Sequence, residues 1–170
     1  MMKTYLFPSL GVLVLLAASA SAQAPAGAAS PEQLEEGKKV YMTCMPCHQP
    51  TGLGLPPVFP PLAKSEYVNG SPERFAAMIL KGNAGPMTVD GKQYNNVMPG
   101  QEAALNDNQI AAVMTYVRQS FGNNSPAVTP DVVAAARKRF AGRTTPWSEA
   151  ELKAWKDDTS AAAPAAPAAQ

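Results

Sequence analysis

The sequence predicts an all-α protein of one domain, on three observations. Three segments carry apolar side chains at spacings of three and four, each opened by a capping residue. The longest stretch between them, "QPTGLGLPPVFPPLAKS", is too dense in Gly and Pro for a helix or a central strand. Strand signals are confined to one Asp-Gly turn, so little sheet is expected.

The chain opens with "MMKTYLFPSLGVLVLLAASASA": one Lys, an apolar run from Leu10 to Ala18, and Ala20-Ser21-Ala22. That layout predicts a signal peptide over residues 1–22, cleaved after Ala22, because the apolar run is too short to span a bilayer. Residues 23–30 form an Ala/Pro linker, and residues 159–170 form a tail of the same composition with almost nothing to bury.

Ser30, Pro31 and Gln33 start the first helix as a cap, a proline at the first position and a capping-box partner. Leu34, Gly37, Val40, Tyr41 and Cys44 form its apolar stripe, so the helix is expected to run to the cysteines. The loop after His48 carries Leu53, Leu55, Val58, Phe59 and Leu62, enough apolar surface to need something large to lie against. Ser71 and Pro72 open a second helix, with Phe75, Met78 and Ile79 on one face and Gly82 as its stop. Asp90-Gly91 between Val89 and Lys92 predicts a short hairpin. In the third helix Asn106 caps and Gln109 closes the box, Ile110, Val113, Met114, Val117 and Phe121 line the buried face, and Gly122 ends it. Thr129-Pro130 and Ser148-x-x-Glu151 predict two short helices in a C-terminal extension over residues 123–158. That extension either wraps the domain, with Trp147 and Trp155 as anchors, or serves as a docking peptide.

Both cysteines and the only histidine fall within five positions, Cys44-Met-Pro-Cys47-His48. This is the C-x-x-C-H pattern of c-type haem attachment: two thiols join one porphyrin edge, and the next residue swings under the iron. His48 is then the proximal ligand. Its Nε2 would bind iron, while Nδ1–H needs an acceptor such as a backbone carbonyl at Pro60 or Pro61. A thioredoxin-type motif would follow a strand, whereas the pattern here is helical, and a structural zinc site needs four ligands where three exist. A chance match to a short pattern is the remaining bland reading. With no second histidine, a methionine is the candidate for the opposite iron face. Met98 in "NNVMPG" is the first choice, Met87 in "GPMTVDG" its rival, and an open iron position the third possibility. Met78 and Met114 sit at helical core positions, and Met42 and Met45 lie too close to the attachment site to reach across.

With these residues, the stretch 31–122 resembles a class I cytochrome c. The resemblance rests on Gly37 and Tyr41, Cys44, Cys47 and His48, the "PPLA" of Pro60 to Ala63, Met98-Pro99, and "LNDNQIAAVMTYV" with Tyr116. It implies three main helices around one covalently bound haem c. Gly37 would let the first and last helices cross closely, with Tyr41 and Tyr116 filling the crossing and Tyr41 counted with Pro60 and Pro61 in the cofactor-binding set. More narrowly, "GPMTVDGKQYNNVMPG" and "SFGNNSPAVTPDVV" are similar to haem c domains associated with periplasmic copper nitrite reductases and sugar or alcohol dehydrogenases.

A six-coordinate His/Met iron leaves no room for substrate, so the expected function is one-electron transfer in the periplasm rather than enzymatic catalysis. The expected partners are a dehydrogenase, nitrite reductase or terminal oxidase of a respiratory chain, met by a monomer. An open distal site would instead make a haem enzyme or a gas-binding sensor. Loss of Lys3 with the signal peptide leaves basic and acidic side chains in balance, which disfavours nucleic acid as a partner. Neither a basic amphipathic helix nor, after cleavage, a membrane-inserting segment stands out.

Overall fold

The computed structural model describes Met1 and residues 27–157. Apart from Met1, the expected signal peptide, residues 23–26 of the linker and the 159–170 tail lie outside the described residues. Seven helices are described: α1 Pro31–Tyr41, α2 Met45–His48, α3 Glu66–Asn69, α4 Pro72–Lys81, α5 Asp107–Arg118, α6 Pro130–Arg139 and α7 Glu149–Lys153. Between α4 and α5 lie β1 Gly82–Val89 and β2 Lys92–Pro99.

The all-α expectation is therefore corrected: the fold is mixed, with a two-stranded antiparallel sheet of eight-residue strands. Gly82, Gly85, Pro86 and Pro99 look like loop-forming residues, yet strand pairing is made by the backbone and tolerates them at the edge of a two-stranded ribbon. The turn is where the sequence places it. Asp90 and Gly91 both take positive φ, 50° and 70°, which matches the right-handed twist of a tight hairpin.

The helices begin as their caps dictate. The side chains of Ser30, Ser71, Asn106 and Ser148 accept from the third residue inside each helix, and each such cap contributes about 1 kcal/mol. The first helix stops short of Cys44. From Met42 to Cys44 the N–H groups turn back to carbonyls three residues earlier, a tightening that ends α1 and sets off α2.

The core forms where α1 crosses α5. A side-chain carbon at Gly37 would lie 2.7 Å from both the Ala112 carbonyl carbon and Tyr116 Cβ, so only a missing side chain permits this approach. Tyr41, Tyr116 and Phe121 fill the end of the crossing, with ring centroids 5.2 to 5.8 Å apart. Phe121 reaches them from beyond the end of α5, at φ 59°, rather than from the helical face expected of it. Arg118, 4% exposed, donates to the carbonyls of Val68, Gly70 and Pro126 and so ties α5 to α3 and to the start of the extension.

Within the extension, Val133 and Ala136 of α6 are fully buried in this core. Trp147 and Leu152 are buried in a second apolar cluster with Tyr67, Met78, Met87 and Tyr94. Trp155 is half-buried and stacks on Phe140 and Trp147.

Candidate cofactor site

The short helix α2 places the histidine of the site. His48 N–H donates to Cys44 O at 2.9 Å, so one helical turn carries the chain from the first thiol to the imidazole. The loop that follows folds back beneath the ring through Leu62 and Ala63, whose N–H groups both bond to Gly52 O. Gly54, at φ 63°, makes this possible, because a side-chain carbon there would sit 2.6 Å from the Pro60 carbonyl carbon.

Pro60 O then stands 3.0 Å from His48 Nδ1. A carbonyl oxygen can only accept, so Nδ1 carries the proton and Nε2 keeps its lone pair. The ring is buried, and burial holds its pKa below the ordinary value despite the opposing pull of the Pro60 carbonyl. A neutral, oriented imidazole with a free Nε2 is the form that binds iron.

His48 lines a cleft together with Cys47, Phe59, Pro60 and residues of both strands of the hairpin. A deeper hollow shares His48, Pro60, Asn83, Met87 and Met98 with it and continues to Pro61, Tyr67, Phe75 and Ile79. The hairpin wall follows from strand geometry. Met87 pairs with Tyr94 and Asn83 with Met98, and residues spaced by even numbers share a face, so these four point to one side. Both methionines named from the sequence thus line the same space as the imidazole. Met87 is 5% exposed, and its sulfur stands 3.8 Å from the Asn83 amide nitrogen; Met98 is partly exposed.

The other sequence-predicted residues divide. Cys47 lines the cleft, while Cys44 packs partly buried against the main core, and the two thiols are not bonded to each other. Pro61 lines the deeper hollow but leaves the imidazole bond to Pro60. Tyr41, expected in the cofactor-binding set, is not among the lining residues; its hydroxyl donates to Gln49 O at 2.7 Å and its ring belongs to the helix crossing. Asn83 and Tyr94 are lining residues that reading for helices misses. Their signal was available as a mirror: Asn83 and Met87 stand as far before Asp90-Gly91 as Met98 and Tyr94 stand after it.

Among the described residues no three His, Cys, Asp or Glu side chains converge to hold a metal ion by themselves. An imidazole and two thioethers lining one apolar hollow, with a thiol at its rim, fit a porphyrin iron instead. Fold and site together define a small protein built to enclose one planar haem.

The chain belongs to the cytochrome c family, whose model matches residues 34–121. Its cofactor is covalently bound haem c, and Cys44 and Cys47 fit the attachment motif. The chain is 34% identical over 117 residues to cytochrome c-552 of Thermus thermophilus, covering 65% of this chain and 88% of that protein. It is 29% identical over 182 residues to the thiosulfate dehydrogenase electron acceptor of Thiomonas intermedia strain K12, covering 88% and 73%. It is also 30% identical over 122 residues to the cytochrome c subunit of alcohol dehydrogenase (quinone) from Gluconobacter oxydans strain 621H, covering 70% of this chain but 25% of that subunit.

Proposed function

We propose that this protein is an exported, monomeric one-electron carrier of the periplasm, with His48 and Met98 as the axial ligands and Cys44 and Cys47 as the attachment residues. One observation carries the reading: His48, its Nδ1–H held by Pro60, lines the same apolar space as the Met98 face of the hairpin. Bound haem c supplies reversible exchange of one electron at its iron. The protein's own residues orient the imidazole, keep water from the hollow and offer a thioether, a ligand that favours the reduced state.

The Thermus and Thiomonas relatives support a carrier rather than an enzyme, and the Gluconobacter relative supports dehydrogenases as donors. The acceptor would be a terminal oxidase or nitrite reductase of the respiratory chain. Among the described residues no helix is long and apolar enough to cross a membrane. Export rests on the expected signal peptide over residues 1–22.

The partner would dock at the mouth of the cleft, where Cys47, Phe59 and Val97 meet the surface. Leu53, Leu55, Val58 and Val97 are exposed, and the stretch from Met42 to Ala63 contains no Asp, Glu, Lys or Arg. Docking is then apolar and brief, with little electrostatic steering. Its reduction by a partner dehydrogenase should change less than about threefold between roughly 0.01 and 0.15 M salt, although the Debye length shrinks from about 30 to about 8 Å over that range. A steep fall in stopped-flow rate would show that charges guide the encounter.

The reading as a whole is tested on the exported protein. Its mass should exceed that of the chain starting at Gln23 by one haem, and its oxidised spectrum should carry the weak long-wavelength band of a sulfur-to-iron bond. A colourless chain, or haem without that band, refutes the His/Met carrier.

A further inference from the structure

We infer that residues 146–153 are a strap that positions the distal hairpin, because Trp147, Asn83 and Met98 stand in one row across three extended segments. The inference rests on the reading that Met98 faces the iron. Asn83 is paired with Met98 on one side and bridged in parallel to Trp147 on the other. A two-stranded ribbon leaves the outer N–H and C=O groups of each strand without partners, and such a ribbon is marginal by itself. On β1 the strap meets these groups. Trp147 N–H donates to Gly82 O at 2.9 Å, Ala84 N–H to Trp147 O at 3.0 Å, and Thr88 N–H to Glu149 Oε1 at 2.7 Å.

The strap is itself anchored to the rest of the molecule. Trp147 Nε1–H donates to Ala77 O in α4, and the indole lies buried against the cluster that holds Met87. Arg143 sits 3.6 Å over the indole and pairs with Glu151 in the first turn of α7. The hairpin edge is thus fixed to α4 through the strap, and Met98 inherits its position from β1 by register.

This predicts a role in ligation beyond that of holding the fold together. A competing ligand reaches the iron only when the hairpin lifts, so its apparent affinity scales with the lifted fraction. In the full-length ferric haem protein, Glu149→Ala removes the charged acceptor for Thr88 N–H and should tighten imidazole binding about tenfold, the worth of one charge-assisted hydrogen bond. Glu149→Gln keeps an acceptor oxygen and should stay within about threefold of the parent, the difference between a charged and a neutral acceptor. Lys153→Ala, which breaks only the exposed ion pair to Glu149, should stay within about twofold. Circular dichroism should show the same helix content in all three. Equal imidazole affinity in Glu149→Ala and the parent, with the sulfur band present in the parent, overturns the strap alone. Absence of that band in the parent overturns the ligand assignment and the strap with it.

Discussion

Met98→Ala is expected to abolish the sulfur-to-iron band of the oxidised protein and to lower the reduction potential by about 0.1 V or more, a fraction of the roughly 0.8 V that axial ligation spans. The direction follows from the thioether, which stabilises ferrous over ferric iron; water or hydroxide in its place does the opposite. Met87→Ala should do something different, although Met87 lies on the same face of the hairpin. Met87 is almost wholly buried among Tyr67, Met78, Tyr94 and Trp147, and the Asn83 amide stands beside its sulfur. Its truncation leaves a cavity and costs about 2 to 5 kcal/mol of stability, with the band retained. Met98 is only partly buried near the end of β2, so its truncation opens little cavity, and a fall in its melting temperature would report the lost bond to iron rather than lost packing. Visible spectroscopy, protein-film voltammetry and thermal melts on the two variants separate the roles. The reverse pattern, with the band lost in Met87→Ala and kept in Met98→Ala, would move the ligand to Met87.

These two methionines also mark how far the sequence was legible. The attachment motif and the need for a carbonyl beside His48 followed from local chemistry, because Cys44, Cys47 and His48 share one turn of chain. Helix starts were equally local: Ser30, Ser71, Asn106 and Ser148 each act on an N–H three residues away. The wall opposite His48 was not local. Its alternation is broken by Gly85-Pro86 and by the polar Asn95 and Asn96, so β1 and β2 lack the strong period-two pattern that marks a strand. What makes them strands is backbone pairing across the Asp90-Gly91 turn, together with the edge that Trp147 supplies from sixty-odd residues further along. A contact at that separation leaves no trace in a window of a dozen residues. The same holds for Tyr41, whose aromatic character is plain in the sequence but whose surroundings, Tyr116, Phe121 and the Gln49 carbonyl, are assembled only by the helix crossing.

Gly37→Ala tests that crossing, and two opposing terms decide its sign. Within an isolated helix, alanine is favoured over glycine by about 1 kcal/mol. At this position the new methyl carbon meets the Ala112 carbonyl group and Tyr116 Cβ at 2.7 Å or less, well inside van der Waals contact. The neighbours are mostly backbone of α5, which cannot turn aside as a flexible side chain would. Overpacking of this kind costs about 1 to 3 kcal/mol and occasionally more, and the rigid neighbours place it at the upper end. The clash therefore outweighs the propensity gain by about 2 kcal/mol, equivalent to a fall of roughly 5 to 10 °C in Tm. Gly142→Ala is the matched control, since a side-chain carbon there meets nothing within 4 Å and φ is not in the positive range. It should leave Tm unchanged or raise it slightly through the unfolded chain. If Gly37→Ala melted no lower than Gly142→Ala, α1 and α5 would have room to separate. The close crossing would then not be what holds the His48 side of the site in place.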